Sequence, residues 1–211
     1  MNDGIYAISI TKEQLASLPT VSFPGQITVI DTVEDAETAL RQLRLHTVVG
    51  FDTETKPSFR KGRTNMVSLI QISTDSHCYL FRLNHIGLCE CIREFIEDPA
   101  VIKIGLSLKD DFHVMHKLAE FTPAGFVDLQ AFVKQYEIAD CSLQKIYGII
   151  FNQRISKSQR LSNWEADNLT QSQQIYASID AWACLKIYNH LNSGNFNPNL
   201  SPYRATVAMA E

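Results

Sequence analysis

Three stretches carry acidic residues in places where carboxylates are costly to keep. In VVGFDTETKP, residues 48–57, an apolar run of strand type ends in Asp52 and Glu54 with one residue between them. Strand alternation places both on one face, about 6.6 Å apart along the strand. Two carboxylates so placed repel, and one pKa rises unless a cation sits between them. GLSLKDDF, residues 105–112, sets Asp110 and Asp111 at a helix start, where one can cap the helix while the other points elsewhere. In YASID, Tyr176 and Asp180 stand at i and i+4 and project from one helical face. That face also carries Gln173, Ala183, Cys184 and Ile187, so the Asp is costly to bury unless paired or metal-bound. Each fragment alone has a plain structural reading: a charged strand end, a helix cap, a half-exposed Asp beside a packing Tyr. Together, four carboxylates converging on a sheet edge suit two divalent cations about 3.5–4 Å apart. Oxygen-only ligation fits Mg2+ or Mn2+ better than zinc. Such a pair serves phosphodiester hydrolysis, with a neighbouring Tyr to orient the attacking water or to help shape the leaving group's site.

The elements that must hold these residues are read from periodicity and caps. QITVID (26–31) reads as a strand and 33–45 as a helix, with Val33, Ala36, Leu40 and Leu43 at helical spacing and Thr32 as cap. Strands follow at 47–54, 66–73 and 77–83, then a helix at 88–98 stopped by Pro99, a short strand at 101–107 and a helix at 110–121. Two helical stretches lie near 128–137 and 142–148, and a long helix covers 170–192 with Thr170 as cap. This order predicts an α/β fold whose mixed sheet has antiparallel early strands and helices packed on it. Residues 1–25 read as a leader with one helix in ITKEQLASLP, 26–192 as the domain, and 193–211 as a poorly ordered tail.

With 211 residues and 45% hydrophobic content, the chain is sized for one domain with a real core. A net charge of −4 argues against a generally basic nucleic-acid coat but leaves room for a local basic surface. No signal-type start and no apolar run of roughly 20 residues is seen, so no membrane is expected. Five scattered cysteines read as reduced thiols, which predicts a cytoplasmic protein, or a nuclear one in a eukaryote.

Two basic clusters lie beside the acidic motifs. Lys56, Arg60, Lys61 and Arg63 follow the first motif with no acid among them, and Arg154, Lys157 and Arg160 precede the last helix. Both are candidates for phosphate contacts. Phe59 and Trp164 are candidate stacking surfaces for a terminal base, although Trp164 reads equally well as core. His113 and His116 read as surface or partly packed residues, since oxygen ligation gives them no task.

FDTE, GLSLKDD and YASIDAWACLKIY, in that order, resemble the motifs of the DEDD family of 3′→5′ exonucleases, in its tyrosine (DEDDy) branch. SKSQRLSNWEADNLT (156–170) is similar to the K-S-x-x-x-S-N-W segment of Werner-syndrome-type exonuclease domains and to its ribonuclease D counterpart. The resemblance covers about 26–192 and implies a ribonuclease H-like fold with a mixed five-stranded central sheet. It implies that Asp52 and Glu54 form the first motif, with Asp52 bridging both metals. Asp111 would be the middle aspartate with Asp110 as the cap, and Asp180 and Tyr176 the last pair. Ile175 stands where the histidine branch would place His. The implied activity is metal-dependent hydrolysis at nucleic-acid 3′ ends, with two divalent cations, Mg2+ or Mn2+, and release of nucleoside 5′-monophosphates. DNA is the favoured substrate and RNA trimming the alternative; a non-catalytic binding module on the same fold is the other reading. The expected partners are DNA or RNA and a helicase or other nucleic-acid-processing protein in a separate chain.

Overall fold

The computed structural model describes residues 6–58 and 65–206. In chain order come β1 (Tyr6–Ile8), α1 (Lys12–Ser17), β2 (Gln26–Ile30), α2 (Val33–Leu43), β3 (Val48–Thr55), β4 (Val67–Ser73) and β5 (His77–Arg82). They are followed by α3 (Leu83–Ile86), α4 (Glu90–Glu97), β6 (Ile102–Gly105), α5 (Leu108–Met115), β7 (Phe126–Asp128) and α6 (Leu129–Phe132). The chain then forms α7 (Leu143–Phe151), α8 (Gln171–Asn192) and β8 (Arg204–Thr206).

The main sheet has the order β2-β5-β4-β3-β6-β7. β3, β4 and β5 form an antiparallel meander, while β2 runs parallel to β5 and β6 and β7 run parallel to β3. The sheet is mixed, as the order of motifs predicts, but it has six strands rather than five. The addition is β7, three residues whose partner is β6, with Lys103 opposite Phe126 and Gly105 opposite Asp128.

Strand alternation divides the core into two layers. Val49, Phe51, Ile70, Ile72 and Phe81 pack against the apolar face of α2 and α4. Leu69, Leu80 and Ile104 pack on the opposite side with Ala177, Trp182, Ala183 and Ile187 of α8. β4 lies between its two antiparallel neighbours and is buried along its whole length. Gly50 sets how closely α8 approaches β3. A Cβ there would fall 1.9 Å from the Ala181 carbonyl oxygen, a contact no side chain tolerates. Glycine therefore lets the helix backbone rest on the strand, two residues before Asp52 and beside Asp180.

The expected leader and tail are parts of the fold. β1 pairs antiparallel with β8, from Tyr6 opposite Thr206 to Ile8 opposite Arg204. Ile8 and Ile10 are fully buried in the α8-side core. Within the described part of the tail, a 3-10 turn at Pro198–Leu200 and the strand pairing take up its backbone groups. Arg204 adds an ion pair with Glu137 at 2.7 Å.

Candidate active site

The site forms where the end of β3 meets the middle of α8. Val49 and Phe51 anchor β3 in one core layer, so Asp52 and Glu54 face α8. α8 is started by a capping box: Thr170 accepts from the Gln173 backbone N–H at 3.3 Å, and the Gln173 amide oxygen accepts from the Thr170 N–H at 3.0 Å. Two turns later the helix presents Tyr176 and Asp180 to the strand. Carboxylate oxygens of Asp52, Glu54 and Asp180 all lie within 4.8 Å of one another. Asp111, on the first turn of α5, adjoins this trio, and the Thr53 hydroxyl donates a hydrogen bond to it.

Asp110 does not cap α5 as expected. Its carboxylate is exposed and accepts from the Ser107 hydroxyl at 3.1 Å. The helix-start N–H of Leu108 donates instead to Asp128, at 3.0 Å, and that of Gln130 to the other Asp128 oxygen at 2.8 Å. Asp128 thus caps two helices from the end of the edge strand, leaving Asp111 free to face the acids.

The electrostatics follow from burial and like charge. Burial, then Asp180, Asp111 and Glu54, push Asp52 well above the usual carboxylate range, against a smaller lowering by the Thr53 backbone N–H. Burial, Asp180 and Asp111 raise Glu54 to about 9, with Arg160 working against them. Burial raises Asp180 to about 7, offset by the Tyr176 hydroxyl and Lys157. Asp111 also rises to about 7 through burial, with the Thr53 hydrogen bond opposing and Asp110 and Asp128 adding to it. Burial and the neighbouring carboxylates hold the Tyr176 phenol firmly protonated. Asp180, buried, and Asp52, Glu54 and Asp111, half-buried, have pKa values raised chiefly by burial and form a donor set of oxygens only, which fits divalent cations.

Asp52, Glu54 and Asp180 open into a cleft of about 360 Å3, lined also by Leu106, the Ser142–Gln144 segment, Lys157, Arg160 and Tyr176. Lys157 and Arg160 therefore stand where the sequence places them, beside the acids. Lys56 is ion-paired with Glu165 at 2.9 Å, tying the end of β3 to the segment before α8. Trp164 is fully buried and packs at 6.0 Å between ring centroids on Tyr176. It is a core residue that backs the tyrosine, which corrects its candidacy as an exposed stacking surface. Arg154 donates to the Leu18 carbonyl and holds the α1 segment. Phe59, Arg60, Lys61 and Arg63 lie outside the described residues. His116 is held by the Phe112 and Phe121 carbonyls at 2.6 and 3.0 Å and stacks on Phe121, away from the acids.

Sequence reasoning missed three features of the site. Thr53 lies between two acids that alternation puts on the other face, so nothing marked its hold on Asp111. Arg82, nearly fully buried in β5, donates to the Ala166 and Asp167 carbonyls and pins the segment leading into α8. The Ser142–Gln144 wall belongs to no motif.

A family model described as a 3′-5′ exonuclease matches residues 27–194. The chain is 30% identical over 193 residues to the bifunctional 3′-5′ exonuclease/ATP-dependent helicase WRN of Mus musculus; the match takes in 84% of this chain and 13% of that protein. It is 28% identical to a 3′-5′ exonuclease of Arabidopsis thaliana, over 83% of this chain and 66% of that one. The chain therefore spans about an eighth of the first relative's length and just under two thirds of the second's. The fold is similar to the Nibbler EXO domain of Aedes aegypti, with a TM-score of 0.71 at 22% identity, over 82% of this chain and 92% of that one. It is equally similar to RNase D of Escherichia coli, with a TM-score of 0.71 at 21% identity, over 79% of this chain and 44% of that one. These neighbours have ribonuclease H-like folds, as the sequence motifs imply. No helix among the described residues is long and apolar enough to cross a membrane.

Proposed function

This chain belongs to the 3′-5′ exonuclease family of enzymes, and we propose that it hydrolyses the terminal phosphodiester bond at nucleic-acid 3′ ends with two divalent cations, releasing nucleoside 5′-monophosphates. The observation that carries this reading is the trio of Asp52, Glu54 and Asp180 oxygens within 4.8 Å, set in a cleft with two basic side chains and a protonated tyrosine.

Asp52, Glu54, Asp111 and Asp180 are the residues that would hold the cations. The cations, when bound, supply Lewis acidity toward the attacking water and the leaving oxygen. The Tyr176 hydroxyl stays protonated at working pH, so it donates a hydrogen bond and orients the attacking water rather than taking its proton. Lys157 and Arg160 neutralise the scissile and adjacent phosphates, charge the four acids would otherwise repel. The buried Trp164 keeps the Tyr176 ring from swinging away. Lys56 reaches the strand backbone on exchanging its exposed Glu165 partner for a phosphate, a small cost for a pair 35–40% exposed.

DNA is the favoured substrate, with recessed duplex ends preferred, and RNA 3′-end trimming is the alternative. A helicase that opens the duplex ahead of the site is the partner we propose, in the cytoplasm or, in a eukaryote, the nucleus. The test is product analysis after digestion of matched DNA and RNA oligonucleotides by the wild type and Asp52→Ala. Nucleoside 5′-monophosphates from the wild type alone support the reading. Nucleoside 3′-monophosphates, or equal release by the variant, contradict it.

A further inference from the structure

Gln71 lies in the buried centre of β4, fully excluded from solvent, and neither its amide nitrogen nor its amide oxygen has a hydrogen-bond partner among the described residues. Leaving a buried amide unpaired is costly, and an apolar side chain would fill the position without that cost. Such a group usually has a partner in some working state of the protein.

The sheet register says which partner. Gln71 stands directly opposite Asp52 on β3 and opposite Leu80 on β5. Residues paired in this way point to the same face, with Cβ atoms about 5 Å apart, within the span of a glutamine side chain. That face lies under α8, where Leu69, two residues before Gln71, packs in the core. Ser73, two residues after it, spends its hydroxyl on the Thr74 carbonyl at 2.9 Å. Also near Asp52 are the fully buried thiols of Cys78 and Cys184, both close enough to sense its charge. Thiols are weak donors. Besides the Thr53 backbone N–H, which already serves Asp52, the Gln71 amide, paired with Asp52 across the strands, is a strong donor within reach of its carboxylate.

We propose that Gln71 is a positioning residue for cation loading: its amide N–H donates to the Asp52 oxygen turned away from the cleft and fixes the carboxylate in its ligating orientation. This rests on the cation reading of the site given above. Carboxylate ligands are themselves held by hydrogen bonds, and losing such a partner typically weakens metal affinity 10–100-fold. Gln71 also explains how a wholly buried central strand accommodates an amide. The amide would gain this partner when the Asp52 carboxylate turns to present one oxygen to a cation and the other to β4, so the cost falls on the metal-free protein.

The experiment measures Mn2+ binding by electron paramagnetic resonance titration and melting temperature in EDTA. It compares wild type, Gln71→Met, Gln71→Leu and Asp52→Asn. Both Gln71 variants are expected to melt at or above the wild type in EDTA, because an unpaired amide has been removed. They should bind Mn2+ at least about tenfold more weakly. Wild-type Mn2+ affinity in both variants would overturn the proposal. So would a clear loss of melting temperature in EDTA, which would mean that the amide already has a partner in the metal-free fold. Failure of the underlying reading looks different: the wild type itself would bind no Mn2+ and match Asp52→Asn.

Discussion

Replacing Glu54 by Gln should stabilise the metal-free protein while removing its response to cations. Carboxylate oxygens of Glu54, Asp52 and Asp180 lie within 4.8 Å of one another. Two unit charges at that distance repel by about 3.5 kcal/mol at an effective dielectric constant near 20. The folded protein relieves this by keeping a proton on Glu54, whose pKa rises from 4.5 to about 9. Because the folded pKa is raised, the folded state holds more protons than the unfolded chain between these values, so stability falls as pH rises across that window. At pH 7.5 the penalty has an upper limit of about 4 kcal/mol, at about 1.4 kcal/mol for each of three pH units. Water entry and relaxation of the site reduce it, and about 2 kcal/mol is the expected gain for the neutral, similarly shaped glutamine. For a chain of this size, that is about 4–8 °C in melting temperature. The assay is thermal melting in EDTA at pH 5.5, 7.5 and 8.5, repeated with Mn2+. The wild type should lose stability toward pH 8.5 and recover about 2.7 kcal/mol at a hundredfold excess of Mn2+ over its Kd. Glu54→Gln should show a shallower pH slope and little response to Mn2+. A variant that melts below the wild type in EDTA, with the same pH slope, would refute the reasoning.

Removing Lys157 and Arg160 together should cut the dependence of log affinity on log salt for single-stranded substrate by about 1.4, two contacts at 0.7 each; anisotropy titrations over a salt series measure it. Tyr176→Phe should lower kcat about 100-fold while Mn2+ affinity stays at the wild-type value, a separation read by single-turnover kinetics beside metal titration. Trp164→Ala should destabilise the fold by about 3–5 kcal/mol in urea unfolding, as expected for a buried ring, whereas an exposed stacking platform would leave the midpoint in place.

Much of this was legible because the relevant physics is local. The five longer strands of the sheet show apolar runs or alternation, and each lies where the sequence places it. α8 begins one residue after its expected cap and carries Tyr176 and Asp180 on one face, as i and i+4 spacing requires. What escaped depends on partners distant in sequence. β7 is too short for any period to show, and it is a strand because β6 offers an edge to it. The pairing of β1 with β8 joins segments almost two hundred residues apart, so neither end alone reveals it. Asp128 caps α5 from 20 residues downstream, where the local candidate was Asp110. Composition could not tell that Trp164 points inward, or that Lys56 is paired across the site mouth with Glu165. Spacing brought out Asp52, Glu54 and Asp180, whereas Asp111 was separated from Asp110 by the family resemblance alone, and its support by Thr53 required the fold.

The role proposed for the four acids is to hold cations for cleavage from a 3′ end. It is tested most directly by 5′-end-labelled single-stranded DNA, recessed-end duplex and RNA, incubated with Mg2+, Mn2+ or EDTA and resolved on a sequencing gel. The expected result is a ladder shortening from the 3′ end with either metal, absent in EDTA and in Asp52→Ala. No ladder on any substrate from folded wild-type protein that still binds the oligonucleotides would contradict the account and leave a binding module on an exonuclease fold.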